Sequence, residues 1–271
     1  MIIDGKKMAD DFIEELAQKI KKEKLELRLD IILAGDNSSS ESFIKMKEIA
    51  GKRAGIKIKV NRLEKLSNQK LRKEVSRISK NNSTNGVIVQ LPLPDGMNEQ
   101  YILNAIPEEK DSDMISKKSW GSFLTNKGSA IPPSVWAFDQ LMKKSGLDYK
   151  RSHISIVGYG RLVGKPISHW CAKNGATVSV INEHTQNPKD IIKVSDVVVS
   201  GVGKAGLITK DMIKEGALIC DFGFSIKNEK IVGDFEKNIE KIAGWFTPVP
   251  GGMGPLVVAG LFYNLVELNK K

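Results

Sequence analysis

The sequence predicts an α/β protein of two domains, each built on a mainly parallel sheet covered by helices. Apolar runs of strand length alternate with helical patterns in both halves of the 271 residues, which is the pattern of repeated strand–helix–strand units. A proline pair, Pro132-Pro133, precedes a helical segment between the halves. We therefore expect the domain boundary near residues 113–133.

In the first half, a helical stripe of apolar residues at spacings of four predicts a helix over residues 6–22. The serines that end at Ser40 can cap the following helix, which Gly55 should end. A buried apolar run ends in the polar residue Gln90. The predicted strands are 29–33, 56–63 and 87–90, and the further predicted helices are 41–54 and 68–79.

The second half repeats the alternation after a predicted helix over residues 134–145. Its predicted strands are 154–157, 176–181, 194–200 and 218–221, and its predicted helices are 162–173 and 256–268. The last helix follows residues 247–255, which contain three prolines and three glycines. Such a stretch cannot form a helix interior or a central strand. We expect a shaped loop that holds a ligand against bare backbone, with a proline-rich linker as the alternative.

Glycines between the strand 154–157 and the helix that follows it predict a phosphate-binding turn. Gly158, Gly160 and Gly164 would let the backbone approach a pyrophosphate at the helix N-terminus. The last glycine comes one position later than in the usual fingerprint, and a tight structural turn is the alternative. The next strand ends near Glu183, where an acidic residue commonly meets ribose hydroxyls, and a second glycine loop occupies residues 201–204. Together these features predict a Rossmann-like dinucleotide-binding domain.

The charge balance of 42 basic against 32 acidic residues, net +10, favours anionic partners. Zinc-ligand spacings and aromatic RNA-binding segments are missing from the sequence, so a small anionic ligand is favoured over nucleic acid. Neither a membrane-spanning run, a signal-peptide layout nor a metal-ligand cluster is visible. Two separated cysteines, Cys171 and Cys220, suggest reduced thiols in a cytoplasmic protein.

Lys47 is the candidate reactive residue of the first half. It lies four positions after Phe43, which puts the amine and the aromatic ring on one helix face. A solvated lysine beside a core aromatic residue is the alternative. Gln90 at a strand end and Asp113 at the close of the same half are the polar residues that accompany it.

Five segments, in this order, resemble the motifs of the bifunctional methylenetetrahydrofolate dehydrogenase/methenyltetrahydrofolate cyclohydrolase family: 40–56, 86–94, 110–113, 158–166 and 247–255. The resemblance extends from residue 2 to the last helix. It implies oxidation of 5,10-methylenetetrahydrofolate with NADP, then hydrolysis to 10-formyltetrahydrofolate, in one-carbon metabolism. It also implies a homodimer, folate substrates that can carry polyglutamate tails, and an active site in the cleft between the domains.

The domains implied by the resemblance are a folate-binding catalytic domain over 1–115 plus 256–271 and a dinucleotide-binding domain over 134–255, joined by 116–133. Lys47 matches the family's catalytic lysine, Gln90 its partner and Asp113 the carboxylate that recognises the pterin. The implied substrate-binding residues are Ser40, Phe43, Pro250, Gly251 and Gly252. The implied cofactor-binding residues are Gly158, Tyr159, Gly160, Arg161, Val163, Gly164, Lys165, Glu183, Gly201, Val202, Gly203, Pro250 and Gly254.

Some positions depart from the family pattern. Phe43 replaces a tyrosine and Ile49 a second lysine, which predicts a weakened cyclohydrolase step. Glu183 would repel the 2′-phosphate of NADP and suit NAD, although nearby cations, such as Lys165 and Lys204, can compensate. We expect NADP, with NAD as the alternative. The alternative functions are a dehydrogenase with weak cyclohydrolase activity and NAD preference, and a nucleotide-binding regulatory or RNA-associated protein.

Overall fold

The computed structural model describes residues 1–35, 38–64, 66–227 and 229–270, with the side chains of residues 38–40 excepted. Its helices are α1 (Gly5–Lys22), α2 (Ser38–Ala54), α3 (Asn68–Ser79), α4 (Glu99–Leu103), α5 (Lys117–Leu124), α6 (Pro133–Ser145), α7 (Gly164–Lys173), α8 (Pro188–Lys193) and α9 (Met253–Glu267). Its strands are β1 (Arg28–Ala34), β2 (Lys57–Leu63), β3 (Gly86–Val89), β4 (His153–Val157), β5 (Thr177–Ile181), β6 (Val197–Ser200), β7 (Leu218–Asp221), β8 (Ser225–Lys227), β9 (Lys230–Val232) and β10 (Trp245–Phe246).

The chain forms two compact units. One unit contains Ala9–Pro133 and Val258–Lys271, and its sheet has the parallel order β2-β1-β3. Strand β3 is buried along its whole length, and β1 is buried from Leu29 onward. Strand β3 is therefore a continuous apolar run, and β1 is apolar from Leu29 onward except for the buried Asp30, as expected for parallel strands covered on both faces.

The other unit contains Met1–Met8 and Ser134–Val257, with a five-stranded sheet in the order β10-β7-β6-β4-β5. All of its strand pairs are parallel. Counted within this unit, the order is 2-1-3-4-5, so the chain reverses direction across the sheet between β4 and β6. Doubly wound sheets bind ligands at such a switch point, outside the carboxyl ends of the strands. The predicted α/β class with two parallel sheets is confirmed.

Most predicted elements are present with shifted ends. Helix α3 has the predicted bounds, and Ser67 caps it by accepting a hydrogen bond from the Lys70 backbone N–H. The strand predicted at 194–200 begins at Val197, because Val194 caps the unpredicted helix α8. Helix α9 begins at Met253, three residues earlier than predicted. The hairpin β8–β9 and the short helices α4 and α5 were not predicted either.

The first eight residues belong to the unit of the second half, whereas the predicted catalytic domain included them. The backbone N–H of Ile3 donates to the Phe246 carbonyl at 2.8 Å, and the N–H of Phe246 donates to the Met1 carbonyl at 3.0 Å. These bonds extend the edge of the sheet at β10. Residues from Val258 onward belong to the unit of the first half, as expected for the last helix. The functional domain bounds themselves stay a prediction.

None of the helices in the described ranges is long and apolar enough to cross a membrane.

Candidate active site

Lys47 and Gln90 meet in the unit of the first half. Helix α2 carries Lys47, and Gln90 directly follows β3 at the carboxyl edge of the sheet. The Lys47 Nζ donates to the Gln90 Oε1 at 2.8 Å, and both side chains are buried. The Gln90 Nε2 donates to the Leu91 carbonyl at 2.8 Å, which turns the amide oxygen toward the lysine. The alternative of a solvated surface lysine is therefore wrong.

Burial lowers the pKa of Lys47, and the nearby carboxylate of Asp113 opposes that shift. Burial raises the pKa of Asp113, with the charge of Lys47 acting in the opposite direction and Asp111 adding to the rise. A lysine desolvated in this way gives up its proton more readily than a lysine in water. The amine is thus suited to exchange protons with a bound substrate.

The turn that carries Asp113 is held by hydrogen bonds on both sides. The carboxylate of Asp111 accepts hydrogen bonds from the Ser116 N–H at 2.8 Å and the Ser119 Oγ at 2.6 Å. From α9, the Asn264 Nδ2 donates to the Ser112 carbonyl at 2.9 Å. Asp111 was not predicted as a site residue. Its only sequence signal is that it lies two positions before Asp113 in the segment 110–113.

Phe43 lies one helical turn before Lys47 and is half-buried. Ile49, on the same helix, is 55% exposed. A residue two positions after Lys47 points to a different side of the helix, so Ile49 does not face the Lys47–Gln90 contact. The side chain of Ser40 lies outside the described residues.

Two glycine loops lie at the switch point of the five-stranded sheet. We call residues 158–163, after β4, the first nucleotide loop and residues 201–204, after β6, the second nucleotide loop. A Cβ atom on Gly158, where φ is +89°, would lie 2.9 Å from the Val202 Cγ2. A Cβ on Gly201 would lie 2.9 Å from the Val163 Cγ1. The two loops therefore pack closely only because these positions are glycine.

The remaining glycines of the first nucleotide loop suit a dinucleotide. A Cβ on Gly164, the first residue of α7, would overlap the Gly158 carbonyl oxygen. The N-terminus of α7 therefore packs directly against the residue that follows β4. The space around Gly160 is open within 4 Å. Bare backbone beside a helix N-terminus fits a pyrophosphate. Arg161 is half-buried in this loop.

The residues expected near the ribose and phosphate are exposed. Glu183 follows β5, which pairs with β4, and its side chain is 81% exposed. His184 lies beside it, with Nε2 3.8 Å from the Glu183 Oε1. The Lys165 Nζ lies 5.6 Å from the ring centre of Tyr159, and Lys204 is exposed in the second nucleotide loop. A carboxylate and several cations thus share this edge of the sheet.

The proline–glycine stretch forms a structured loop. The Gly252 N–H donates to the Pro248 carbonyl at 2.8 Å, and Gly251 has a φ of +100°. The Lys6 N–H donates to the Gly251 carbonyl at 3.0 Å, and the Val249–Pro250 peptide bond is cis. The two hydrogen bonds exclude the linker alternative, because an unstructured linker would make neither of them. Pro250 and Gly254 are exposed.

Within the described residues, no group of three His, Cys, Asp or Glu side chains could hold a metal ion. The fold and the two clusters define a class of protein: an α/β enzyme with a Rossmann-like dinucleotide site in one unit and a lysine-centred polar site in the other.

Comparison with known families makes the assignment specific. The model of the tetrahydrofolate dehydrogenase/cyclohydrolase catalytic domain matches residues 3–113, and that of the corresponding NAD(P)-binding domain matches residues 132–271. The chain belongs to the tetrahydrofolate dehydrogenase/cyclohydrolase family. The resemblance found in the sequence and the dinucleotide-binding domain of the second half are thereby confirmed.

Relatives match over nearly the full length. The bifunctional protein FolD of Moorella thermoacetica is 35% identical, with 100% of this chain and 99% of the relative covered. The structure of FolD from Campylobacter jejuni has a TM-score of 0.94 and 31% identity, over 99% of this chain and 98% of that one. The structure of the Trypanosoma brucei enzyme, complexed with NADP and an inhibitor, has a TM-score of 0.93 and 28% identity, and the match covers 99% of this chain and 96% of that one.

Proposed function

We propose that this protein oxidises 5,10-methylenetetrahydrofolate to the 5,10-methenyl cation with NADP and then hydrolyses that cation to 10-formyltetrahydrofolate. Membership of the family over both domains supports the two activities. The observation that carries the proposal is the buried Lys47 bonded to Gln90 beside the carboxylate of Asp113. The NADP complex of the Trypanosoma brucei relative supports the choice of cofactor.

The residues of the lysine site suit the hydrolytic step. The neutral amine of Lys47 takes a proton as water adds to the cationic carbon. When the bond from that carbon to N5 breaks, one water proton ends on N5 and the other leaves to solvent. Gln90 holds the amine in place, and the carboxylate of Asp113 accepts hydrogen bonds from the N–H groups of the pterin edge.

NADP, when bound, supplies the hydride acceptor for the oxidation. The two nucleotide loops and the N-terminus of α7 are the groups that would hold it, with Gly158, Gly160, Gly164 and Gly201 leaving room for the backbone to approach. Lys165 and Lys204 are the cations available for its phosphates. Pro250, Gly251 and Gly252 of the proline–glycine loop are proposed to bind substrate, and Pro250 and Gly254 to bind the cofactor.

A paired assay of both reactions with both cofactors tests the proposal. We expect dehydrogenase activity with a higher kcat/KM for NADP than for NAD, together with hydrolysis of the methenyl compound, followed by its near-ultraviolet absorbance. A clear preference for NAD would instead support the alternative derived from Glu183. Absence of both activities would refute the assignment.

Lys47→Met is expected to reduce cyclohydrolase turnover by at least about 100-fold, because the proton acceptor is lost. The melting temperature should fall, because the methionine leaves the buried Gln90 Oε1 without its donor and the Asp113 carboxylate without its cation. Turnover is therefore measured at a temperature at which both variants are folded. Lys45→Met, at an exposed lysine of the same helix, is the matched control and should leave turnover unchanged. Comparable turnover in the two variants would exclude the proposed role of Lys47.

We also infer a homodimer in the cytoplasm that acts on folates with polyglutamate tails. The family supports the dimer, the two unpaired buried cysteines suit a reducing compartment, and the net charge of +10 suits a polyanionic tail. Light scattering after size-exclusion chromatography tests the dimer directly. A monomeric mass at the working concentration would refute it.

A further inference from the structure

A fully buried carboxylate lies behind the second nucleotide loop. Asp234 follows the hairpin β8–β9 and is 0% exposed. Its Oδ2 accepts hydrogen bonds from the Ser200 Oγ and the Val202 N–H, each at 2.7 Å. Its Oδ1 accepts one from the Lys204 N–H, also at 2.7 Å. A single side chain thus bonds to three of the five residues from Ser200 to Lys204.

A second carboxylate supports the backbone of Asp234. The Oδ1 of Asp221, at the end of β7, accepts hydrogen bonds from the Asp234 N–H at 3.1 Å and the Gly223 N–H at 2.8 Å. Glycines leave room for both acids: a Cβ on Gly223 would overlap the Asp234 carboxylate, and a Cβ on Gly233 would overlap that of Asp221.

The hairpin also bonds to the loop directly. The Ser225 Oγ donates to the Gly203 carbonyl at 2.7 Å. The second nucleotide loop is therefore fixed through two of its N–H groups and one of its carbonyl groups, all bonded to residues at the two ends of the hairpin. A glycine-containing loop would otherwise lose much conformational entropy when a ligand orders it.

We propose that Asp234 is a positioning residue for the dinucleotide: its carboxylate fixes the backbone of the second nucleotide loop in a shape ready to bind. The proposal rests on the NADP-dependent function proposed above. Only a carboxylate can accept all three hydrogen bonds, since both of its oxygens are acceptors. An asparagine in the same place presents an NH₂ group to at least one loop N–H and leaves it without an acceptor.

The test compares Asp234→Asn with the wild-type protein in three measurements on the same sample: NADP binding by titration calorimetry, cyclohydrolase turnover and melting temperature. We expect the Kd for NADP to rise about tenfold, because a loop N–H loses its acceptor. Cyclohydrolase turnover, which consumes no dinucleotide, should stay within about twofold. If Asp234 only stabilised the fold, its substitution would weaken NADP binding and cyclohydrolase turnover in proportion.

Asp196→Asn is the matched control. Asp196 lies at the amino end of β6, the opposite edge of the same sheet, where it accepts a hydrogen bond from the His153 N–H and pairs with Lys214. Its substitution should leave the Kd for NADP unchanged. If Asp234→Asn does not fold, Ser225→Ala decides, with an expected rise in Kd of about threefold.

An unchanged Kd in Asp234→Asn, or in Ser225→Ala where that variant decides, overturns the proposal. Equal losses of NADP binding and cyclohydrolase turnover overturn it as well. Failure of the proposed function is recognised separately, because the wild-type protein itself would then show neither NADP binding nor turnover.

Discussion

Lys47 shows at the scale of one residue how burial changes chemistry. Its amine would be an ordinary cation in water, but desolvation lowers its pKa and the hydrogen bond to Gln90 fixes its position. Phe43, one turn earlier on α2, is the neighbouring position at which the sequence is expected to depart from the family pattern. The aromatic ring can still stack on a substrate, whereas a tyrosine would add a hydroxyl group near the amine.

Phe43→Tyr is therefore expected to raise cyclohydrolase turnover about two- to tenfold, with little change in dehydrogenase turnover, because a hydroxyl can order the attacking water. Steady-state assays of both reactions measure this. Phe12→Tyr, at a half-buried phenylalanine of α1, adds the same hydroxyl elsewhere and serves as the control. Equal changes in both reactions, or none, would contradict the prediction.

At the scale of elements, the carboxyl ends of parallel strands carry the polar groups of both units. Gln90 follows β3 in one sheet, and the two nucleotide loops follow β4 and β6 in the other. Asp221 ends β7 and is 2% exposed. Burial raises the pKa of Asp221 to about 7, and the nearby Asp234 adds to the rise, although backbone N–H groups oppose it.

This pKa predicts a pH-dependent stability at the end of β7. The folded protein holds the proton of Asp221 more tightly than the unfolded chain, so the stabilisation is complete below about pH 4 and is lost as pH rises to about 7. In Asp221→Asn this loss is absent. As pH rises across this range, the free energy of unfolding of the variant should therefore increase relative to that of the wild type, by up to about 4 kcal/mol.

Urea unfolding at several pH values between 4 and 8 measures the difference. Asp211→Asn is the control: the pKa of Asp211 is lowered to about 2 by its contact with Lys189, so its contribution is lost only as pH falls through that value. Its difference from the wild type should stay nearly constant between pH 4 and 8. A constant difference for Asp221→Asn as well would show that Asp221 is ionised throughout.

At the scale of the whole molecule, the chain begins in one unit, crosses into the other, returns and crosses again at α9. The first residues illustrate why position in the sequence does not define a unit. Ile3 is 4% exposed and bonds to β10, while its neighbour Ile2 is 61% exposed. The unit that contains the nucleotide loops therefore includes the N-terminal residues.

Ile3→Ala should lower the free energy of unfolding by about 2–4 kcal/mol, since it removes a buried side chain from that unit. Ile2→Ala removes an exposed one and should change it by less than about 0.5 kcal/mol. Denaturant unfolding monitored by tryptophan fluorescence gives both values. Equal effects would mean that Ile3 adds no packing to the unit.

The sequence by itself determined the features that depend on local patterns: the α/β class, most of the helices and strands, the glycine turn after β4, and the ordered motifs that indicate the family. It also selected Lys47, Gln90 and Asp113, although their roles stay predictions. These features were accessible because periodicity, turn residues and motifs extend over a few neighbouring positions.

Only the tertiary structure decided which distant residues meet. Asp234 lies 32 positions from Val202 and yet accepts its N–H, and Ile3 pairs with Phe246 near the other end of the chain. The structure likewise decided that Lys47 is buried rather than solvated. Such contacts follow from how the strands are ordered and the loops brought together, and the free energy of burying a charge depends on everything packed around it.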